Sequence, residues 1–144
     1  MPPPVIYAGV FLTGYLLHRS MPIHFFPDRL SLTLGSLLIL LSIPLVALSF
    51  RELICQRTAM NIDKPVATLV VTGSFRFTRN PMYLSVTLLY CGLGVSLDLA
   101  WVILLLPLAL VIVHYKVIVR EEVRLERQFG QDYLDYKASV RRWL

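Results

Sequence analysis

The feature that most constrains this chain is an unbroken run of 21 residues, Leu30 to Phe50, without a single charge. Coiled as a helix at ~1.5 Å rise per residue, such a run matches a bilayer hydrocarbon core of roughly 30 Å. Pro44 falls inside it and is expected to kink the helix without ending it, because neighbouring helices can take up the freed carbonyl. Two further uncharged runs, Met82 to Leu97 and Leu99 to Tyr115, are separated only by Asp98 and predict a tight helical hairpin with Asp98 at its wet tip. Val5 to Leu17 is a shorter apolar run of 13 residues. A signal peptide is the alternative there. No basic stretch precedes the run and no small-residue cleavage site lies before His18, so it is read as a helix of the mature protein, extended back through Pro2 to Pro4.

At 144 residues the chain has the length of one domain, and 56% hydrophobic against 16% charged residues is the composition of a protein buried largely in an apolar phase. The net charge is +5, but placement matters more than balance. Every Lys and Arg except Arg19 and Arg29 falls between Arg51 and Arg79 or between Lys116 and Arg142. Both stretches are therefore expected on the cytoplasmic side, with the Arg19 to Arg29 connection and Asp98 on the far side. Four spans with both termini inside satisfy that arrangement. The expected fold is all-α and polytopic, a single domain over 1–144. It comprises two N-terminal transmembrane helices (1–50), a cytosolic loop (51–81), a helical hairpin (82–115) and a cytosolic helical tail (116–144).

In the tail, Val119 to Phe129 is rich in helix formers and Gly130 is a natural stop. Beyond it Tyr133, Tyr136, Val140 and Trp143 recur at helical spacing, which predicts an amphipathic interfacial helix with Trp143 as its membrane anchor. Cys55 and Cys91 belong to different depths and read as free thiols. His18, His24 and His114 are scattered, with no ligand spacing, so no metal site is expected. Gly92 and Ser96 form a small-xxx-small pair that suits packing within the hairpin better than a dimer contact; the oligomeric state stays open. Nothing points to nucleic acid, and the expected partners are membrane lipids.

Two polar stretches interrupt the apolar pattern. In TGSFRFTRNPMYLS, Thr72 to Ser85, the plain reading is punctuation: Arg76 and Arg79 against headgroups, Asn80 as helix cap and Pro81 in the first turn. In VREEVRLERQFG, Glu121 and Glu122 follow the apolar run within two turns, and carboxylates so near lipid need partners. Arg124, three residues on, is the local partner for Glu121. A hairpin, however, brings Asn80 to Tyr83 and Glu121 to Glu122 to one level. A carboxylate pair suits an ammonium or ribose, arginine suits a carboxylate or phosphate, and Phe75, Phe77 and Tyr83 offer aromatic faces. S-adenosylmethionine carries all the complementary groups, while a nucleotide or a phospholipid headgroup carries some of them.

The blocks LVVTGSFRFTRNPMYLS and EEVRLERQFGQDYLDY resemble the isoprenylcysteine carboxyl methyltransferase family and its phospholipid N-methyltransferase relatives, over roughly Ala67 to Val140. The resemblance implies S-adenosylmethionine in a cytosol-facing pocket. Ala67, Thr68, Leu69 and Val70 would line its approach, with Phe75, Asn80, Pro81, Met82 and Tyr83 at the turn and Glu121 and Glu122 opposite. Asn80 stands where the family has histidine, Ser74 where it has proline, and Val117 where some members carry a substrate-holding arginine. Asn does not titrate near neutrality, so a proton-transfer role at that position is not expected.

The implied reaction is methyl transfer to a membrane-embedded lipidic acceptor. A prenylcysteine-like carboxylate comes first, held by Arg127, and a phospholipid amine second, deprotonated by Glu121 or Glu122. Glu121 and Arg127 lie six residues apart, ~9 Å along one helix, and are expected to flank a pocket without touching. The competing readings are an NADPH-dependent membrane lipid reductase and a small transporter or assembly subunit. The latter predicts an ionisable group in mid-membrane, and only His114, near the end of a run, comes close.

Overall fold

The computed structural model describes residues 3–58 and 69–143. Among them there is no strand. Helix α1 (Pro3–Ser20) is followed by α2 (Asp28–Thr58), which runs through Pro44 unbroken. A short 3-10 turn, Gly73–Arg76, precedes α3 (Pro81–Ser96), which opens on Pro81, where the missing N–H costs nothing. Helix α4, Ala100–Phe129, is interrupted twice. The first break is a turn at Leu105, just ahead of Pro107, which has no N–H for the preceding turn and crowds it. The second is a π turn, His114–Ile118, in which the Val119 N–H reaches the His114 carbonyl. Gly130, at φ 54°, ends α4 as expected, and α5 (Gln131–Ser139) follows.

Helix α2 packs along α3, while α1 lies against the first half of α4. Small residues allow both approaches. A Cβ at Gly35 would collide with Ser96, one at Gly92 would lie 2.6 Å from Ile39 Cγ1, and one at Gly14 would lie 2.8 Å from Val102 Cα. The Gly92–Ser96 pair therefore faces α2 and not the other arm of the hairpin, which corrects the sequence expectation; the hairpin closes instead on Gly94 against Val102. In bilayers such close backbone approach replaces the hydrophobic effect as the source of association. The core holds Tyr7, Tyr90, Val102, Ala109, Val113 and Ile118. Its hydroxyls are paired: Tyr90 donates to the Val102 carbonyl at 2.9 Å, and Tyr7 and Thr87 share a hydrogen bond of 2.7 Å.

Among the described residues, two helices are long and apolar enough to cross a membrane, Asp28–Ser49 and Ala100–Phe129; α3 is apolar but shorter, at 16 residues. Only 17% and 22% of the apolar windows of those two helices are buried, whereas the core helix of a water-soluble protein is mostly buried. Leu37, Leu40, Leu41 and Ile43 on α2, and Leu104, Leu108 and Val111 on α4, project outward, an arrangement that suits a hydrocarbon medium.

At the end of the hairpin Asp98 is buried, not wet. Its backbone turns at φ 47°. Its carboxylate accepts the Phe25 and Phe26 N–H groups at 3.1 and 3.3 Å and lies 2.9 Å from His24 Nδ1. Burial alone would raise the Asp98 pKa, but these hydrogen bonds outweigh it and hold the carboxyl below its ordinary range. The α1–α2 connection is thus fastened to the hairpin turn, and Trp101 Nε1 adds a bond to the Met21 carbonyl at 2.8 Å.

The tail also differs from its prediction. Helix α5 stops at Ser139 and Val140 is extended, so Trp143 stands off the helix and packs against the core. Tyr133 and Tyr136 turn inward and are buried.

Candidate active site

The two polar stretches meet. Proline at the start of α3 sets the direction of that helix, and the 3-10 turn before it carries Thr78 to Asn80 to the level of Val119–Phe129 in α4. Glu122 is buried and doubly held. Arg79 Nη1 donates to its Oε1 at 3.1 Å, while Arg142 donates through Nε to Oε1 and through Nη2 to Oε2, each at 2.8 Å. The Arg79 side chain is 10% exposed and that of Glu122 11%, so both charges are removed from water and each depends on the other. The Arg142 guanidinium is held in its charged form above the ordinary range, first by its bond to Glu122.

Beside this cluster, Tyr83 donates its hydroxyl to Glu121 Oε2 at 2.6 Å. Tyr83, and not Arg124, is the partner of Glu121. Glu121 makes no ion pair among the described residues, whereas Glu122 makes two. Adjacent carboxylates have thus been given different surroundings.

Asn80 precedes α3 but makes no side-chain cap bond; its Nδ2 donates to the Arg142 carbonyl at 3.1 Å, and its own N–H is taken by Thr78 Oγ1 at 3.2 Å. Pro81 is buried at the base of the turn, with Met82 half-buried beside it. Phe75 contributes its carbonyl to the Tyr136 hydroxyl at 2.7 Å. Burial pushes the Tyr136 hydroxyl up to about 12, so it remains a donor across the physiological range. Leu69 and Val70 are half-buried on the approach to the 3-10 turn; Ala67 and Thr68 lie outside the described residues. Arg127 is exposed in the last turn of α4, apart from the cluster.

Reading the sequence alone left out Arg142, Thr78 and Tyr136. Arg142 looks like one more surface cation. The available signal was the cost of two adjacent carboxylates near lipid, which calls for more cationic partners than the local Arg124.

A chain that is helical without strands among the described residues, with helices long and apolar enough to cross a membrane and a dense polar cluster at one end of a helical hairpin, is the class these observations define. The chain belongs to the phospholipid methyltransferase family, whose pattern matches residues 30–132, within the broader group of isoprenylcysteine carboxyl and phospholipid methyltransferases. Methyltransferases of that family generally use S-adenosylmethionine. An uncharacterized protein of Haemophilus influenzae is 38% identical over 65 residues, which are 44% of this chain and the whole of that relative. No solved structure matches the chain.

Proposed function

We propose that this protein transfers a methyl group from S-adenosylmethionine to a membrane-embedded lipidic acceptor, at a site on the cytoplasmic end of the α3–α4 hairpin, in a multi-pass chain with both termini on that side. The observation that carries the reading is the Tyr83 to Glu121 hydrogen bond, which joins the two sequence blocks into one polar site. Family membership favours methyl transfer over a reductase or a transporter.

The residues present fit the cofactor. Glu121 lacks a cationic partner among the described residues and suits an ammonium or ribose hydroxyls. Arg79 Nε is buried with no hydrogen-bond partner among them, an orphaned donor suited to a carboxylate. Tyr83 and Phe75 supply aromatic faces, and Asn80, Pro81 and Met82 shape the turn between them. When bound, S-adenosylmethionine supplies an electrophilic methyl group on a sulfonium. The chain's own task is to align the acceptor in line with that methyl and keep water out.

A lipid amine is the acceptor the charges favour. Arg79 and Arg142 share the single carboxylate of Glu122, whereas Glu121, held by the Tyr83 hydroxyl, is the carboxylate without an ion-pair partner among the described residues and so the one open to an ammonium. Glu121 would take the proton from the acceptor ammonium, freeing the nitrogen lone pair to attack. A prenylcysteine-like carboxylate is the second reading, favoured by the exposed Arg127.

Isothermal titration of S-adenosylhomocysteine into wild type and Glu121→Ala tests the site, and methyl-labelled S-adenosylmethionine offered with an aminophospholipid or a prenylcysteine tests the acceptor. Binding to wild type that weakens in Glu121→Ala is expected. Absence of binding to wild type would remove the function, and unchanged affinity in the variant would remove the site.

A further inference from the structure

After α5 the chain turns extended at Val140 and runs back between the start of α3 and the second half of α4. It is fastened there at main chain and side chain alike. The Arg79 N–H donates to the Arg141 carbonyl at 2.9 Å, Thr78 Oγ1 and Asn80 Nδ2 both donate to the Arg142 carbonyl, and the Arg142 guanidinium grips both oxygens of Glu122. Trp143 is thereby laid along a groove of about 440 Å³. The other walls are Leu84 and Thr87 from α3 and Leu110, Val111, His114 and Tyr115 from α4. That volume falls within the range of small-molecule sites, roughly 300–1,000 Å³.

Three observations indicate what enters it. The groove lies on the apolar stretch of α4, where Val111 projects outward into what is hydrocarbon for a membrane-crossing helix. Its α3 wall lies one turn from the polar site, since Thr87 Oγ1 donates to the Tyr83 carbonyl at 2.7 Å and Tyr83 in turn holds Glu121. Lys116 and Arg120 follow on α4, exposed and without an ion pair among the described residues, at the level where a phosphate headgroup would sit.

We infer that residues 140–143 form a strap that completes the acceptor site. Trp143 is a specificity-determining wall against one acyl chain of a phosphate-bearing lipid, and Arg142 is the positioning residue that holds Trp143 there through Glu122. That this lipid is the methyl acceptor rests on the function proposed above; that it binds in the groove does not.

The test uses the full chain in phosphatidylcholine nanodiscs containing a small fraction of phosphatidylethanolamine with a diazirine on one acyl chain. After irradiation the cross-linked residues are mapped by mass spectrometry, with S-adenosylhomocysteine titrated into the same samples. Labelling of residues 84–87 and 110–114 is expected to exceed that of the exposed α2 face at 37–41. Arg142→Ala should lower this enrichment about tenfold, as loss of a charge-assisted hydrogen-bonded contact does. Trp143→Ala should lower it as well, and Trp143→Phe should preserve it. Trp143→Ala leaves the Arg142–Glu122 contact in place, so the answer does not depend on Arg142→Ala folding. Equal labelling of the two faces in wild type, or enrichment unchanged by Trp143→Ala, overturns the strap. Groove labelling without S-adenosylhomocysteine binding supports the strap and sinks the methyl-transfer reading.

Discussion

Tyr83 and Glu121, 38 residues apart in sequence, share a hydrogen bond of 2.6 Å at one end of the hairpin. It joins the first turn of α3 to the far half of α4. The neighbouring Glu122 is instead clamped by Arg79 and Arg142. One carboxylate is committed to an ion-pair cluster; the other makes no ion pair among the described residues and is the one we propose meets a ligand.

Removing the Tyr83 hydroxyl should therefore affect binding more than folding. Tyr83→Phe keeps the ring and leaves Glu121 without its donor. The affinity for S-adenosylhomocysteine is expected to change about tenfold, in keeping with a hydrogen bond to a charged group, while the unfolding temperature moves little. A titration that superimposes on wild type would detach Tyr83 from the site.

Glu122 should behave in the opposite way. Glu122→Ala strands two guanidinium groups, one of them nine-tenths buried, and breaking a buried pair costs about 3–5 kcal/mol. Thermal unfolding in detergent should show a large destabilisation, and the strap that depends on Arg142 should become protease-sensitive. Wild-type stability in this variant would mean that the cluster is solvated.

Asp98 gives the protein a signature at acid pH. Its folded-state pKa lies below the unfolded value, so its contribution is fully present above the ordinary carboxylate range and is lost as pH falls through the depressed folded value. Asp98→Asn should be less stable than wild type at neutral pH, and the difference should shrink progressively in acid. Parallel stability curves for the two proteins down to pH ~2 would contradict the linkage.

Glycine substitutions should separate contact from flexibility. Gly92→Leu forces α2 away from α3 at Ile39 and is expected to destabilise strongly. Gly9 has open space around its Cβ position, and Gly9→Ala should stabilise α1 by about 0.5–1 kcal/mol through its better helix propensity. Thermal melts of the two variants, measured side by side, check both signs.

The sequence by itself determined the helices and their membrane character. The 21-residue uncharged run, the paired runs around Asp98, and the stop at Gly130 are local patterns of apolarity and backbone freedom, and the corresponding helices form where they predict. It also named both halves of the polar site, because residue types that are costly near lipid stand out against an apolar background. Tertiary structure alone decided how those residues are used. The π turn at His114–Ile118 adds an i to i+5 bond, and its shift of about one residue turns the following stretch by ~100° relative to an unbroken helix, so periodicity could not say which glutamate meets Tyr83. Arg142 reaches Glu122 only because the chain turns extended at Val140, and the Gly92–Ser96 pair faces α2 only because that helix docks there. These are contacts between distant segments, set by which surfaces pack together, and no local pattern encodes them.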